Sequence, residues 1–180
     1  MNLSTLATSL GLLFALPGLY GLCKPAAFAV AARRFPRYTP IGCVFIVAAT
    51  LWFLYWVKLE TVQDFKAMKP FLYALFGGVG LGACLFVRDY LAVRGLAVLL
   101  LLAAKLMVDT ARVVETDWRL VIVTWAYVWV FAGMWFTISP WRLRDLILWA
   151  TASEQRTRLV SGIRLGFALL VLVLGLTVFK

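Results

Sequence analysis

The 180-residue chain contains no histidine. Bis-imidazole haem ligation, histidine-rich metal sites and the usual neutral-pH proton relay all need imidazole, so each is closed to this chain acting alone. Its three cysteines, Cys23, Cys43 and Cys84, show no C-x-x-C spacing and lie in or beside apolar runs, where cysteine behaves as a small hydrophobe. No disulfide framework is expected. Serine and threonine are present without a histidine or cysteine base beside them, so nucleophilic catalysis has no support. Charge is scarce as well: 14% of residues are charged against 64% hydrophobic, far from the balance of an ordinary globular domain. That excludes a soluble reading. The expectation is a non-enzymatic chain with no catalytic residue, no metal and no cofactor.

What the chain has instead is long apolar runs. Six of them, at about 3–22, 41–57, 71–87, 95–111, 120–138 and 159–179, approach or reach the roughly 20 residues that cross a hydrocarbon core at about 1.5 Å per residue. The first lacks a basic stretch before it and a small-residue cleavage site after it, so a retained helix is expected rather than a signal peptide. Eight Trp and thirteen Phe add interfacial anchors, among them Trp52, Tyr55 and Trp56 at the end of the second run. Two short basic amphipathic stretches, 26–35 and 141–157, read as helices lying in the membrane interface. The predicted fold is a single all-α transmembrane domain over 1–180: six spanning helices and two interfacial ones.

Charge then orients the bundle. With six spans, Lys24, Arg33, Arg34, Arg37, Arg88, Arg94, Arg142, Arg144, Arg156, Arg158 and Arg164 fall on one side, eleven in all. The other side holds Lys58, Lys66, Lys69, Lys105, Arg112, Arg119 and Lys180, or seven. The positive-inside rule puts the richer side in the cytoplasm and both termini outside. The formal net charge of +10 is thereby explained without nucleic acid.

Two segments echo one another. A span, Pro25, a basic amphipathic stretch and a span opened by Gly42 parallel a span, Pro140, a basic amphipathic stretch and a span opened by Gly162. A parallel duplication and a repeated solution to the same physics are both open. The second of these segments, with Ser139-Pro140-Trp141-Arg142-Leu143, then Arg158, then residues 162–175, resembles the short two-helix bacterial inner-membrane proteins related to Escherichia coli YjeT; 17–53 resembles them more faintly. Two middle spans of this chain have no counterpart there. The resemblance implies a bacterial inner membrane, and since that family's function is undefined it implies no catalysis.

Candidate functional residues are few. Lys105, Asp109 and Arg112 fall at i, i+4 and i+7 on one face of the fourth span, with Glu115 beyond. Charges within a bilayer usually face a bundle interior or a water path, whereas at a helix end they are solvated headgroup-level partners. Arg164, five residues inside the sixth span, poses the same choice between a buried site and a side chain reaching to the cytoplasmic interface. Gly78 and Gly82 form a G-x-x-x-G pair, and Gly162 and Gly166 have the same spacing, so close helix packing is expected at both. Gly77, Gly78, Gly80 and Gly82 follow no strand, so they are not a dinucleotide fingerprint.

The function expected from these residues is that of an accessory or scaffold subunit in a bacterial inner-membrane complex, contacting lipid and other membrane subunits or itself. A small transporter or channel using the charged face of the fourth span is the alternative. It is the weaker one because a solute path normally needs several polar side chains within the spans.

Overall fold

The computed structural model describes residues 2–61, 63–87 and 89–179, with the side chains of 63–65 outside the description. Among these residues the fold is all-helical: α1 (Leu3–Cys23), α2 (Pro25–Arg34), a short 3-10 helix (Phe35–Arg37), α3 (Thr39–Leu59), α4 (Gln63–Phe86), α5 (Leu91–Ala111), α6 (Arg119–Ile138), α7 (Trp141–Ala150) and α8 (Glu154–Thr177). Six of them, α1, α3, α4, α5, α6 and α8, are long and apolar enough to cross a membrane. The protein is a polytopic membrane bundle.

Proline marks the helix starts. Pro25 opens α2, Pro40 lies in the first turn of α3, and Pro140 precedes α7, positions where a missing N–H costs no intrahelical bond. The two shortest α-helices, α2 and α7, are ten residues each and join spans at the same end of the bundle, called here the basic end.

Three boundaries differ from the sequence-based expectation. The mixed-charge stretch 58–69, which falls between the expected spans 41–57 and 71–87, is largely helical, because α4 starts at Gln63 and runs on through Pro70. The gap between the expected spans 71–87 and 95–111 is shorter, since α5 begins at Leu91 and takes in Arg94. The interfacial helix expected over 141–157 ends at Ala150, and a turn then leads into α8 at Glu154. There the Ser153 Oγ accepts from the backbone N–H of Arg156 at 3.2 Å, which caps the new helix.

The spans pack as a row, α4 on α3, α3 on α5 and α5 on α6, while α1 and α8 form an antiparallel pair laid against α5 and α6. Antiparallel pairing is fixed at both ends: the Ser4 Oγ donates to the Gly175 carbonyl at 2.7 Å, and Gly21 abuts Ser161. The main core joins Leu6, Ala7 and Leu10 of α1, Ala104 and Met107 of α5, Ile122, Trp125 and Trp129 of α6, and Val171 and Leu174 of α8. A second cluster, Val93, Ala97 and Phe136, closes the basic end of the α5–α6 contact. α5 buries 39% of its apolar window and α4 only 6%, so α5 is the central helix and α4 the outermost.

A two-fold duplicated unit would pair α3 with α6 as α1 pairs with α8. Here α5 stands between α3 and α6, so the packing lacks that symmetry.

Candidate functional site

Close backbone approaches come first, because they decide which faces are used internally. A Cβ added to Gly42 would lie 2.6 Å from the Ala92 backbone nitrogen, and one on Gly95 3.0 Å from that of Ile46; α3 and α5 therefore cross through a pair of glycines. Gly133 brings α6 onto Ala97 and Leu101 of α5, and Gly11 brings α1 onto Ala168 and Leu172 of α8. In α4 the approach is made by Gly80, whose added Cβ would strike Thr50 of α3.

Gly78 and Gly82, expected to pack, have nothing within 4 Å of an added Cβ. The expectation is corrected for contacts within the chain. At 3.6 residues per turn Gly80 lies about 200° around the helix from Gly78, so turning Gly80 toward α3 turns the other pair outward. Gly166 likewise meets nothing, and Gly162 meets only Leu22 at an ordinary 3.8 Å. The α8 face that packs on α1 runs instead through Ser161, Leu165, Ala168, Leu172 and Gly175.

At the end opposite the basic one, Lys105 and Asp109 form an i,i+4 ion pair at 2.5 Å. Their side chains are 51% and 45% exposed, so the pair lies on the surface of the bundle. The Lys105 Nζ also stands 4.2 Å from the centre of the Trp56 ring, a cation–π contact that ties α5 to α3 at the level of the aromatic belt. Arg112 forms the C-cap of α5, and among the described residues it makes no ion pair with Asp109. The expected three-residue stripe is thus a pair plus Trp56. Trp56 is marked by the sequence as a belt residue but not as the neighbour of Lys105, because the two lie on different helices.

Arg164 sits elsewhere. Its guanidinium carbon is 4.6 Å from the centre of the Phe14 ring, and its Nε is buried without a hydrogen-bond partner among the described residues. Phe14 is near the middle of α1 and contacts Trp125 edge-on at 4.9 Å and Trp129 at 5.4 Å; Trp125 in turn meets Phe167 edge-on at 5.0 Å. Register agrees with this depth, since Gly11 meets Ala168 and Gly18 meets Leu165, placing Phe14 between those levels. Arg164 therefore turns toward an aromatic cluster of α1, α6 and α8.

At the basic end, Arg33 of α2 donates from Nε to the Thr151 Oγ1 at 2.9 Å and from Nη2 to the Thr151 carbonyl at 2.5 Å. Thr151 is only 5% exposed and its hydroxyl also donates to the Ile147 carbonyl at 2.7 Å. Arg144 of α7 donates to Asp145 at 2.8 Å and to the Tyr90 hydroxyl at 3.1 Å. The hydrogen bond to Asp145, with Tyr90 beside it, raises the Arg144 pKa above its ordinary value, so the guanidinium stays charged. Arg37 lies over the same tyrosine ring at 5.9 Å. Tyr90 holds a left-handed φ of 54° just before α5, a conformation a bulky residue seldom adopts, and it directs the ring between these arginines. Arg88 and Lys180 of the charge count lie outside the described residues.

No cluster of three or more His, Cys, Asp or Glu side chains suited to a metal is found among the described residues. The three cysteines are free thiols. No family model, curated protein or solved structure matches the chain.

Proposed function

We propose that the protein is a non-catalytic accessory or scaffold subunit of a bacterial inner-membrane complex, and that α4 is the helix by which it docks an apolar helix of a partner subunit. The observation that carries this reading is the open pair Gly78 and Gly82 on a span that buries only 6% of its apolar window. Without a hydrophobic drive between helices in lipid, association depends on backbones coming close, and small residues spaced four apart permit that approach. Within this chain such approaches are made at Gly42, Gly95, Gly133 and Gly11; the α4 pair has the same chemistry and no internal partner. Exposed Leu75, Val79, Leu81 and Leu85 around it carry no charge, which matches a partner that is an apolar transmembrane helix.

The membrane type rests on the likeness to the YjeT-related proteins, and the orientation on the arginine-rich end being cytoplasmic. In this reading α2 and α7 lie at the cytoplasmic surface and both termini face outward.

The test is mild-detergent purification of the tagged protein, wild type against Gly78→Leu/Gly82→Leu. Loss of a co-purifying membrane protein, with the variant itself still folded and monodisperse, is the expected result. A variant that keeps the same companions, or a wild type with none, would refute the reading.

A further inference from the structure

Arg164 lies within a spanning helix, and among the described residues no carboxylate pairs with it. The eight carboxylates are Glu60, Asp64, Asp89, Asp109, Glu115, Asp117, Asp145 and Glu154, and none lies in the middle of a spanning helix. The Phe14 ring supplies only its quadrupole, and Nε has no acceptor among the described residues. An intramembrane arginine held in this way calls for an oxyanion, which a guanidinium binds with charge-assisted, commonly paired hydrogen bonds.

The surroundings state what else that anion must carry. Phe167, one turn beyond Arg164 on α8, forms part of an open groove of about 540 Å³ between α6 and α8, lined also by Leu120, Val121, Thr124, Trp125 and Val128. Except for the Thr124 hydroxyl, these side chains are apolar or aromatic, and the groove, which Arg164 itself does not line, begins one turn past it at Phe167 and runs toward the end away from the arginine-rich surface. A ligand matching both parts has an anionic head and a hydrocarbon tail. Arg164 also lies only five residues from Leu159, where the apolar run begins, or about 7.5 Å of helix rise, a depth to which a lipid phosphate can be drawn by an arginine.

We propose that Arg164 binds the phosphate of an anionic phospholipid from the leaflet at the basic end, with an acyl chain seated in the α6–α8 groove against Trp125 and Phe167. This site is on the opposite side of the bundle from α4 and does not depend on the docking proposed there.

Tryptophan quenching tests it. The purified protein is placed in vesicles of phosphatidylcholine doped with increasing dibromo-phosphatidylglycerol, or with dibromo-phosphatidylcholine as the neutral arm, and the Trp125 contribution is taken as the difference from Trp125→Phe. The expected result is half-maximal quenching at about fivefold lower mole fraction for the anionic lipid, the effect of roughly one well-placed basic residue. It should persist in about 1 M NaCl, where a Debye length of about 3 Å screens the exposed interfacial arginines but not a buried site. Arg164→Gln should abolish the preference, and Arg164→Lys, which keeps the charge, should retain part of it.

Three results would overturn the proposal: equal quenching by both lipids in the wild type, a preference that salt removes, or one that survives Arg164→Gln. If Arg164→Gln instead strips away an acid-bearing partner helix while lipid preference is unchanged, the counter-ion is a protein carboxylate and the lipid assignment is wrong. Arg164→Lys and the salt series keep the test decisive should the glutamine variant fail to fold.

Discussion

Arg33 and Thr151, 118 positions apart, are joined by two hydrogen bonds that lock the two interfacial helices to one another. The guanidinium takes the Thr151 hydroxyl oxygen and the carbonyl of the same residue, so it closes the C-terminus of α7, whose last carbonyls have no helical partner. One side chain therefore ties the α1–α3 half to the α6–α8 half at the basic end.

Removing this tie is predicted to loosen the bundle measurably. Hydrogen bonds to charged groups contribute about 1.5 to 3 kcal/mol at most, and Arg33 is partly solvated, so Arg33→Ala should cost about 1 kcal/mol. Thr151→Val leaves the carbonyl and should cost less than the arginine change alone. A double-mutant cycle on thermal unfolding in detergent should give a coupling of about 0.5 kcal/mol or more. Additive costs would show that the contact does not couple the helices.

Glycine substitutions should sort by face. Gly42→Ala puts a methyl against the α5 backbone, where neither chain can yield cheaply, and is predicted to destabilise by about 1 to 3 kcal/mol. Gly78→Ala meets open space and removes a flexible residue from a helix, so it should be neutral or stabilising by up to about 1 kcal/mol. Thermal stability of the isolated protein in detergent reads both; equal effects would contradict the assignment of faces.

The Lys105–Asp109 pair is predicted to be weak. Both side chains are about half exposed, and exposed pairs contribute about 0.2 to 1 kcal/mol, whereas breaking a buried pair costs about 3 to 5. A double-mutant cycle giving a coupling of several kcal/mol would place the pair in a desolvated interior. Replacing Trp56 by leucine should weaken the coupling further, since the ring holds Lys105 from the other side.

Orientation is tested by labelling. With Cys23, Cys43 and Cys84 replaced by alanine, Gln155→Cys puts a thiol in the exposed first turn of α8 and keeps the Ser153 cap intact. A membrane-impermeant maleimide should react only after the cells are permeabilised. Reaction in intact cells would invert the topology.

The sequence was a good guide where a property belongs to one segment and a poor one where it belongs to two. Hydropathy located the six spans because lipid acts on each helix separately. Pro25 and Pro140 stand at helix starts, whereas the break between α7 and α8 at Thr151–Ser153 lies inside one continuous basic amphipathic pattern that carries no sign of it. The stretch 58–69 falls outside the apolar runs because of its charge, yet α4 starts within it at Gln63 and continues through Pro70. Gly78 and Gly82 carried the motif while Gly80 made the contact, because spacing states that a face is small and not which neighbour lies there. For Arg164 the missing information was Phe14, 150 residues away on α1, which no local pattern links to it.

The most direct measurement of the central claim is photocrosslinking along α4 in the native membrane. A photoreactive side chain is placed in turn at positions 75, 78, 79, 80 and 82, and adducts are resolved by mass spectrometry. The account predicts protein adducts strongest at 78 and 82, weaker at 75 and 79, and only internal products to α3 at 80. Protein adducts of equal strength at every position, or adducts to lipid alone at 78 and 82, would contradict it.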